Sequence, residues 1–248
     1  MEGGLLKKLT QEEFDVIVAK HHEWLRGKGG AQADLRDMDI FGVELRNVNL
    51  KKAMLDGVDF SSKEMINVDF SHASLNNALF VDAKISMSNF SHAFLKDAIF
   101  SDAYIFGSDF SNAYASRADF NMAFMKKSVL RYGNFSSANF SNTDLESAEC
   151  ASANFDGATM KKTDLREADM ACASFKKSDL READCTAANL NNCKFMLTDI
   201  RGTVFTDALL KDIVYQKTDF RESTVDGESF DEWHPMNKLS RRISSVEI

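Results

Sequence analysis

Residues 33–62 read ADLRDMDIFGVELRNVNLKKAMLDGVDFSS, and large apolar residues recur in them at every fifth step: Leu35, Ile40, Leu45, Leu50, Leu55 and Phe60. Continuing that phase from Leu35 to Phe230 gives 40 positions, and all 40 are apolar, 15 Phe and 12 Leu among them. With 44% of the chain hydrophobic, chance would give such a run about once in 10¹⁴ trials. Two residues earlier, from Ala33 to Glu228, 20 of the 40 positions are Ala and 12 more are Ser, Thr, Gly or Cys. The residue between the two is often Asp or Asn, as at Asp34, Asp39, Asn49, Asp59 and Asp69. The phase never slips and no insertion interrupts it.

A period of five fits neither a helix at 3.6 residues per turn nor a strand at two. One large and one small inward residue per five, with polar residues between, requires a bend every five residues. Four bends close a square turn of 20 residues, with small side chains where the interior is tight and Phe or Leu filling the middle. Forty pentapeptides then make ten coils, a column roughly 48 Å tall at the usual strand spacing. Such a column fills its own interior and is expected to offer no pocket of the size small ligands need.

Several of the pentapeptides are Ala33-Asp34-Leu35, Ala118-Asp119-Phe120, Ala138-Asn139-Phe140, Ala153-Asn154-Phe155 and Ala188-Asn189-Leu190. In these the chain resembles the pentapeptide-repeat family, whose repeat is A(D/N)LXX, over residues 31–230. The resemblance implies an all-β fold, a right-handed quadrilateral β-helix, and is nearly silent on function, because the recurring residues are those that build the column.

The two ends of a stack expose apolar residues and unpaired backbone. Thr10 and Glu13 form a capping-box pattern, with Leu9 and Phe14 at staple positions around it. Phe14, Ile17, Val18, His21, Trp24 and Leu25 follow helical spacing, and Gly27, Gly29 and Gly30 end the run. Residues 10–26 are therefore expected to form an amphipathic helix over the first coil, the alternative being a partner-binding helix. Residues 231–248 leave the phase and carry Trp233, Pro235, Arg241 and Arg242; Trp233 is a candidate cover for the lower end, and the rest a frayed tail or a dimer contact. The expected organisation is a capping helix over 1–30, a solenoid over 31–230 and a terminal cap or tail over 231–248.

Composition excludes several classes. No stretch approaches the ~18 consecutive apolar residues of a membrane span, and residues 1–10 lack a secretory apolar core. The formal net charge of −8 argues against direct nucleic-acid binding. Cys150, Cys185 and Cys193 take inward phases and Cys172 an outer one, with no zinc-site spacing, as in a bacterial-style cytoplasmic protein with free thiols. His72 and His92 share an outer phase 20 residues apart and should stack on adjacent coils, a surface ladder rather than a metal site. Neither a nucleophile elbow, a P-loop nor a dinucleotide fingerprint occurs. No catalytic residue, cofactor or metal is expected.

The outer faces carry the remaining information. The position before each core residue defines four ladders with a 20-residue repeat, and at the middle coils their polar pattern lapses. Leu79, Phe94, Ile99, Tyr104, Tyr114 and Phe124, with Phe106 close by, make an apolar belt on three successive faces, and exposed aromatic clusters mark interfaces. The belt is read as a contact for a protein partner or for self-association; the opposing view is that the rings only stiffen the column. The acids form the other signal. The resemblance extends to quinolone-resistance (Qnr-like) members of the family, negatively charged rods that bind DNA gyrase, and implies an alternative: a DNA mimic for gyrase or topoisomerase using Asp39, Asp59, Asp69, Asp109 and Asp119. In the lower half Asp164 and Asp179 alternate with Arg166 and Arg181, which mixes the charge there.

Overall fold

The computed structural model describes residues 6–226 and 228–229 of the chain. The expected boundary at 231, the tail with Trp233 and Pro235, and Phe230, last of the 40 steps, lie outside the described residues.

The backbone repeats every 20 residues. Parallel bridges join each outward position to its equivalent one coil on, from Asp34↔Met54 through Tyr104↔Phe124 to Val204↔Thr224. The core residue donates forward and its outward neighbour donates back: Leu55 N–H binds Ser74 O at 2.8 Å, and Ser74 N–H binds Ala53 O at 2.9 Å. The left-handed residue adds a third bond, as from Gly57 N–H to Asn76 O at 2.9 Å, and the chain then bends again, so most sides hold single bridges rather than strands. The bend closes by a bond such as Ala73 N–H to Phe70 O, 2.9 Å. Its third residue is left-handed, as at His72 with φ 58°, the geometry of a type II turn.

Within the described residues every core position from Leu35 to Val225 is buried except Tyr215 and Phe220, which are half-buried. Phe60, Phe80, Phe100, Phe120 and Phe140 stack along one side at 4.4–4.9 Å. They meet Phe70, Phe90 and Phe110 edge-on across the interior at 5.6–6.3 Å. Both arrangements are favourable for aromatic quadrupoles. The small inward position has a second use. Where it is Thr, and at Ser128 and Ser223, the hydroxyl donates to a carbonyl 23 residues earlier: Thr143 to Phe120 O and Thr163 to Phe140 O, both 2.7 Å, and Ser223 to Ile200 O, 2.6 Å; Ser88, Ser108 and Ser178 donate instead to a carbonyl two or three residues back. A buried hydroxyl is tolerated because it finds that partner.

Strand β1 (Lys7–Lys8) pairs in parallel with β2 (Met38–Asp39). Helix α1 (Gln11–Leu25) follows, with Thr10 as N-cap and both capping-box bonds present. Phe14 and His21 are its buried residues. On one side of the column β3 (Leu45–Arg46), β4 (Glu64–Ile66), β5 (Lys84–Ser86) and β6 (Tyr104–Phe106) form a four-stranded parallel sheet. At the C-terminal end β7 (Thr224–Val225) turns back on β8 (Glu228–Ser229) in an antiparallel pair.

Candidate functional site

The four outward ladders define four sides. Side A runs through Asp34, Met54, Ser74, Phe94 and Tyr114; side B through Asp59, Leu79, Ile99 and Asp119. Side C runs through Glu64, Lys84, Tyr104 and Phe124, and side D through Asn49, Asp69, Asn89 and Asp109. Phe100 belongs to side B and touches Phe90 and Phe110 of side D across the interior. B therefore opposes D, and A opposes C.

That geometry places the apolar belt. Phe94 and Tyr114 stack on side A with centroids 5.2 Å apart, and Tyr104 and Phe124 stack on side C at 4.7 Å, each pair within 10° of parallel. All four rings and Phe106 are 46–54% exposed. Leu79 and Ile99, bridged on side B between them, are half-buried. The two ring pairs thus lie on opposite sides of the column, and the belt wraps round it rather than gathering into one patch.

The expectation that no depression of ligand size exists is corrected on the outer surface. The interior is filled as expected, but three shallow depressions lie outside it near the N-terminal end. One of about 470 Å³ is lined by Glu64, Ile66, Lys84, Ser86, Tyr104 and Phe106. Two of about 320 Å³ share Phe41, Ser61 and Lys63. They arise because side chains on a five-residue repeat leave grooves between coils, which no interior packing rule forbids.

Lys63 was not singled out in the sequence, although its signal was there: a lysine at a phase where 32 of 40 residues are Ala, Ser, Thr, Gly or Cys. Its ammonium donates to Phe41 O and Val43 O at 2.7 Å and lies 5.9 Å from the Phe41 ring centroid. Burial lowers its pKa below the usual lysine value.

The acids are largely engaged in the fold. Asp39, Asp59, Asp69, Asp109 and Asp119 each accept the backbone N–H two residues on, at 2.8–3.0 Å. They hold the bends as Asx turns. They are also spread out, since Leu79 and Ile99 separate Asp59 from Asp119, and Asn89 separates Asp69 from Asp109. Lower down, Arg181, Arg201 and Arg221 bind Asp179, Asp199 and Asp219 at 2.6–2.7 Å. Those arginine hydrogen bonds hold the three carboxyls below the usual range, Asp219 at about 2. Asp144, Glu146 and Asp164 approach one another closely, but Lys126 and Arg166 are paired into that cluster.

His72 and His92 stack as expected, 4.7 Å apart and 2° from parallel. Burial first, then His92, Lys51 and Lys52, lower the His72 pKa, and two lysines beside it disfavour a cation. Cys150, Cys185 and Cys193 are buried and Cys172 is exposed. Burial raises the first three, Cys193 to about 12, so they are not thiolates at neutral pH.

Among the described residues no helix is long and apolar enough to cross a membrane. No curated protein matches the chain. Similar solved structures include HetL, a pentapeptide repeat protein involved in heterocyst differentiation regulation from the cyanobacterium Nostoc sp. strain PCC 7120, at 20% identity and TM-score 0.47 over 88% of this chain and 98% of that one. QnrB1, a plasmid-mediated fluoroquinolone resistance protein, is 18% identical with TM-score 0.43, covering 86% and 98%. A pentapeptide repeat protein from the Arabidopsis thaliana thylakoid lumen is 31% identical over 56% of this chain and 68% of its own, with TM-score 0.16. The family model for pentapeptide repeats matches in 8 copies over residues 64–102, 108–146, 148–184 and 178–213. Since that model covers more than half of the chain, and the five-residue phase extends unbroken beyond it on both sides, from Leu35 to Phe230, the chain belongs to the pentapeptide-repeat family.

Proposed function

We propose that the chain is a right-handed quadrilateral β-helix of about ten coils over residues 31–230, closed at its N-terminal end by residues 1–30, and that it acts as a rigid, non-enzymatic protein-binding or self-assembling scaffold. For the cap, the support is one bond on each side of the first coil. Ala33 N–H donates to His21 Nδ1, Leu9 N–H to Asp39 O, Glu44 N–H to Gln11 Oε1, and His21 Nε2 binds Lys51 O. These use backbone groups that an open end would leave unpaired.

The observation that carries the binding reading is the pair of half-exposed ring stacks, Phe94–Tyr114 and Tyr104–Phe124, at mid-column. They interrupt ladders that are otherwise mostly polar. A rigid surface loses little ordering entropy when a partner docks. The partner is a protein or a second copy of the chain.

The test is affinity capture from a lysate of the source organism, with Phe94→Ser/Tyr104→Ser alongside the wild type and the thermal stability of both measured. Loss of a captured protein at unchanged stability supports the belt. Unfolding of the double variant, or an identical captured set, sinks it. The alternative, a gyrase- or topoisomerase-binding DNA mimic, needs acids free on one side, and the turn bonds and ion pairs above weigh against that. Recovery of gyrase or topoisomerase subunits by both proteins would assign it.

A further inference from the structure

One buried titratable side chain ties helix α1 to the column. His21 is fully buried, and both of its ring nitrogens are engaged. Nδ1 accepts from Ala33 N–H at 3.0 Å, and Nε2 donates to Lys51 O at 2.9 Å. The carbonyl fixes the ring proton on Nε2 and the amide fixes the lone pair on Nδ1, so the ring is neutral. The two contacts reach adjacent sides of the first coil: Ala33 precedes Asp34 of side A, and Lys51 follows Asn49 of side D. Gln32 Nε2 adds a bond to Lys52 O at the same corner. The N-terminal half of this segment is held differently. On side B, β1 pairs with β2 and Leu9 N–H donates to Asp39 O; on side C, Glu44 N–H donates to Gln11 Oε1. Leu9 and Phe14 are buried there. None of those groups titrates between pH 5 and 8.

We propose that His21 is a pH-sensitive latch: when it takes up a proton, the C-terminal half of α1 lifts from sides A and D of the first coil, while the N-terminal half stays on sides B and C. This rests on the reading of residues 1–30 as a cap and adds what opens it. A proton on Nδ1 sets two N–H groups against each other across the 3.0 Å contact with Ala33. It also leaves a buried cation short of an acceptor, which is costly.

The surroundings do not offset that cost. On α1 the group acting on His21 is His22, which disfavours a cation, and burial does the same; Lys20 and Glu23 are exposed. Trp24 stacks on the ring at 5.6 Å and favours a cation, but supplies no acceptor for the second N–H. On the column Lys51 offers its carbonyl and Lys52 a further cation, Asp34 is ion-paired to Arg36, and His72, stacked on His92, has both lysines beside it. Gly27, Gly29 and Gly30, at φ 68°, 94° and 74°, follow the helix and supply the bend on which it swings. Release uncovers the Ala33 amide and the Lys51 and Lys52 carbonyls. The N-terminal edge of the column is then closed at neutral pH and open on two sides in mild acid.

Amide hydrogen exchange of the full chain tests the latch, read as protection factors so that the intrinsic pH dependence cancels. Ala33, Leu9 and Glu44 are expected to be protected at neutral pH. Protection of Ala33 should then fall by up to tenfold for each pH unit below about 6.5, with Leu9, Glu44 and mid-column Phe100 unchanged. His21→Gln should remove the dependence, and His72→Gln/His92→Gln should keep it. If His21→Gln loses the helix by circular dichroism, the wild type and the double variant decide. Protection of Ala33 that ignores pH, an equal fall at Leu9 and Glu44, or a dependence lost with His72 and His92 overturns the latch and leaves the cap reading in place. Ala33, Leu9 and Glu44 all unprotected at neutral pH overturns the cap reading, and the latch with it.

Discussion

Replacing Phe100 by Ala tests whether the interior ring stack holds the column together. Phe100 is fully buried. It stacks on Phe80 at 4.4 Å and on Phe120 at 4.9 Å, and meets Phe90 and Phe110 edge-on at 5.9 and 5.8 Å. Truncating a buried Phe costs about 3–5 kcal/mol, depending on how far the site collapses. Here the coils above and below are pinned by backbone bonds such as Phe100 N–H to Asp119 O at 2.6 Å, so collapse is limited and the upper end is expected. Phe195 provides the control. It stacks on Phe175 at 5.1 Å, nearer the end of the column, where the next core rings of its own side and of an adjacent one, Tyr215 and Phe220, are only half-buried. The site there collapses more easily, so Phe195→Ala should fall at the lower end of the range, about 2 kcal/mol milder. Urea unfolding followed by far-UV circular dichroism measures both. Hydrogen exchange adds the location: in a solenoid each coil leans on its neighbours, so lost protection should be confined to the amides of residues 80–120. Equal costs for the two variants, a Phe100→Ala cost below about 1 kcal/mol, or deprotection spread evenly over the column would refute the reasoning.

Three further outcomes are expected. His21 is buried, accepts from Ala33 N–H and binds Lys51 O, and burial lowers its pKa. The unfolded chain therefore takes up a proton first, and stability should fall as pH drops below about 6.5. His21→Gln should flatten that dependence in thermal melts between neutral pH and pH ~5; an unchanged slope would remove His21 as its source. A Cβ on Gly133 would stand 2.4 Å from Phe135 Cε2, so Gly133→Ala should cost about 1–3 kcal/mol by overpacking, and a neutral result in urea unfolding would show that the ring moves freely. Leu197 is half-exposed at φ 59°. Leu197→Gly should relieve about 1–2 kcal/mol of left-handed strain against roughly 0.5–1 of added chain entropy, a net gain that a lowered melting temperature would contradict.

The column was legible in the sequence because its cause is local and repeated. Each pentapeptide must put one large residue inward and bend, so Leu35 to Val225 carry the same instruction. The helix over residues 11–25 was legible through Thr10 and Glu13, whose reciprocal bonds the structure contains. The stacking of His72 on His92 followed from the 20-residue repeat alone.

What the amino-acid order could not carry was the relation between sides. Leu79, Phe94, Ile99, Tyr104 and Phe124 look like one cluster along the chain. Only the closed coil sets Phe94 and Tyr104 on opposite sides, because ten residues are half a turn. Nor does a periodic pattern show which bends are closed by the chain and which by a neighbour. Val68 and Ser88 donate to the Oγ of Ser88 and Ser108 one coil on, while Ser128 N–H closes its own bend on Met125 O. That difference is made between coils, by hydroxyls 20 residues distant. The sequence by itself determined the repeat, the inward face and the N-terminal helix, since these rest on residues that act within five or fifteen positions. The tertiary structure decided which outward groups are left for a partner, since that depends on what each side chain meets across the coil and on the coil beside it.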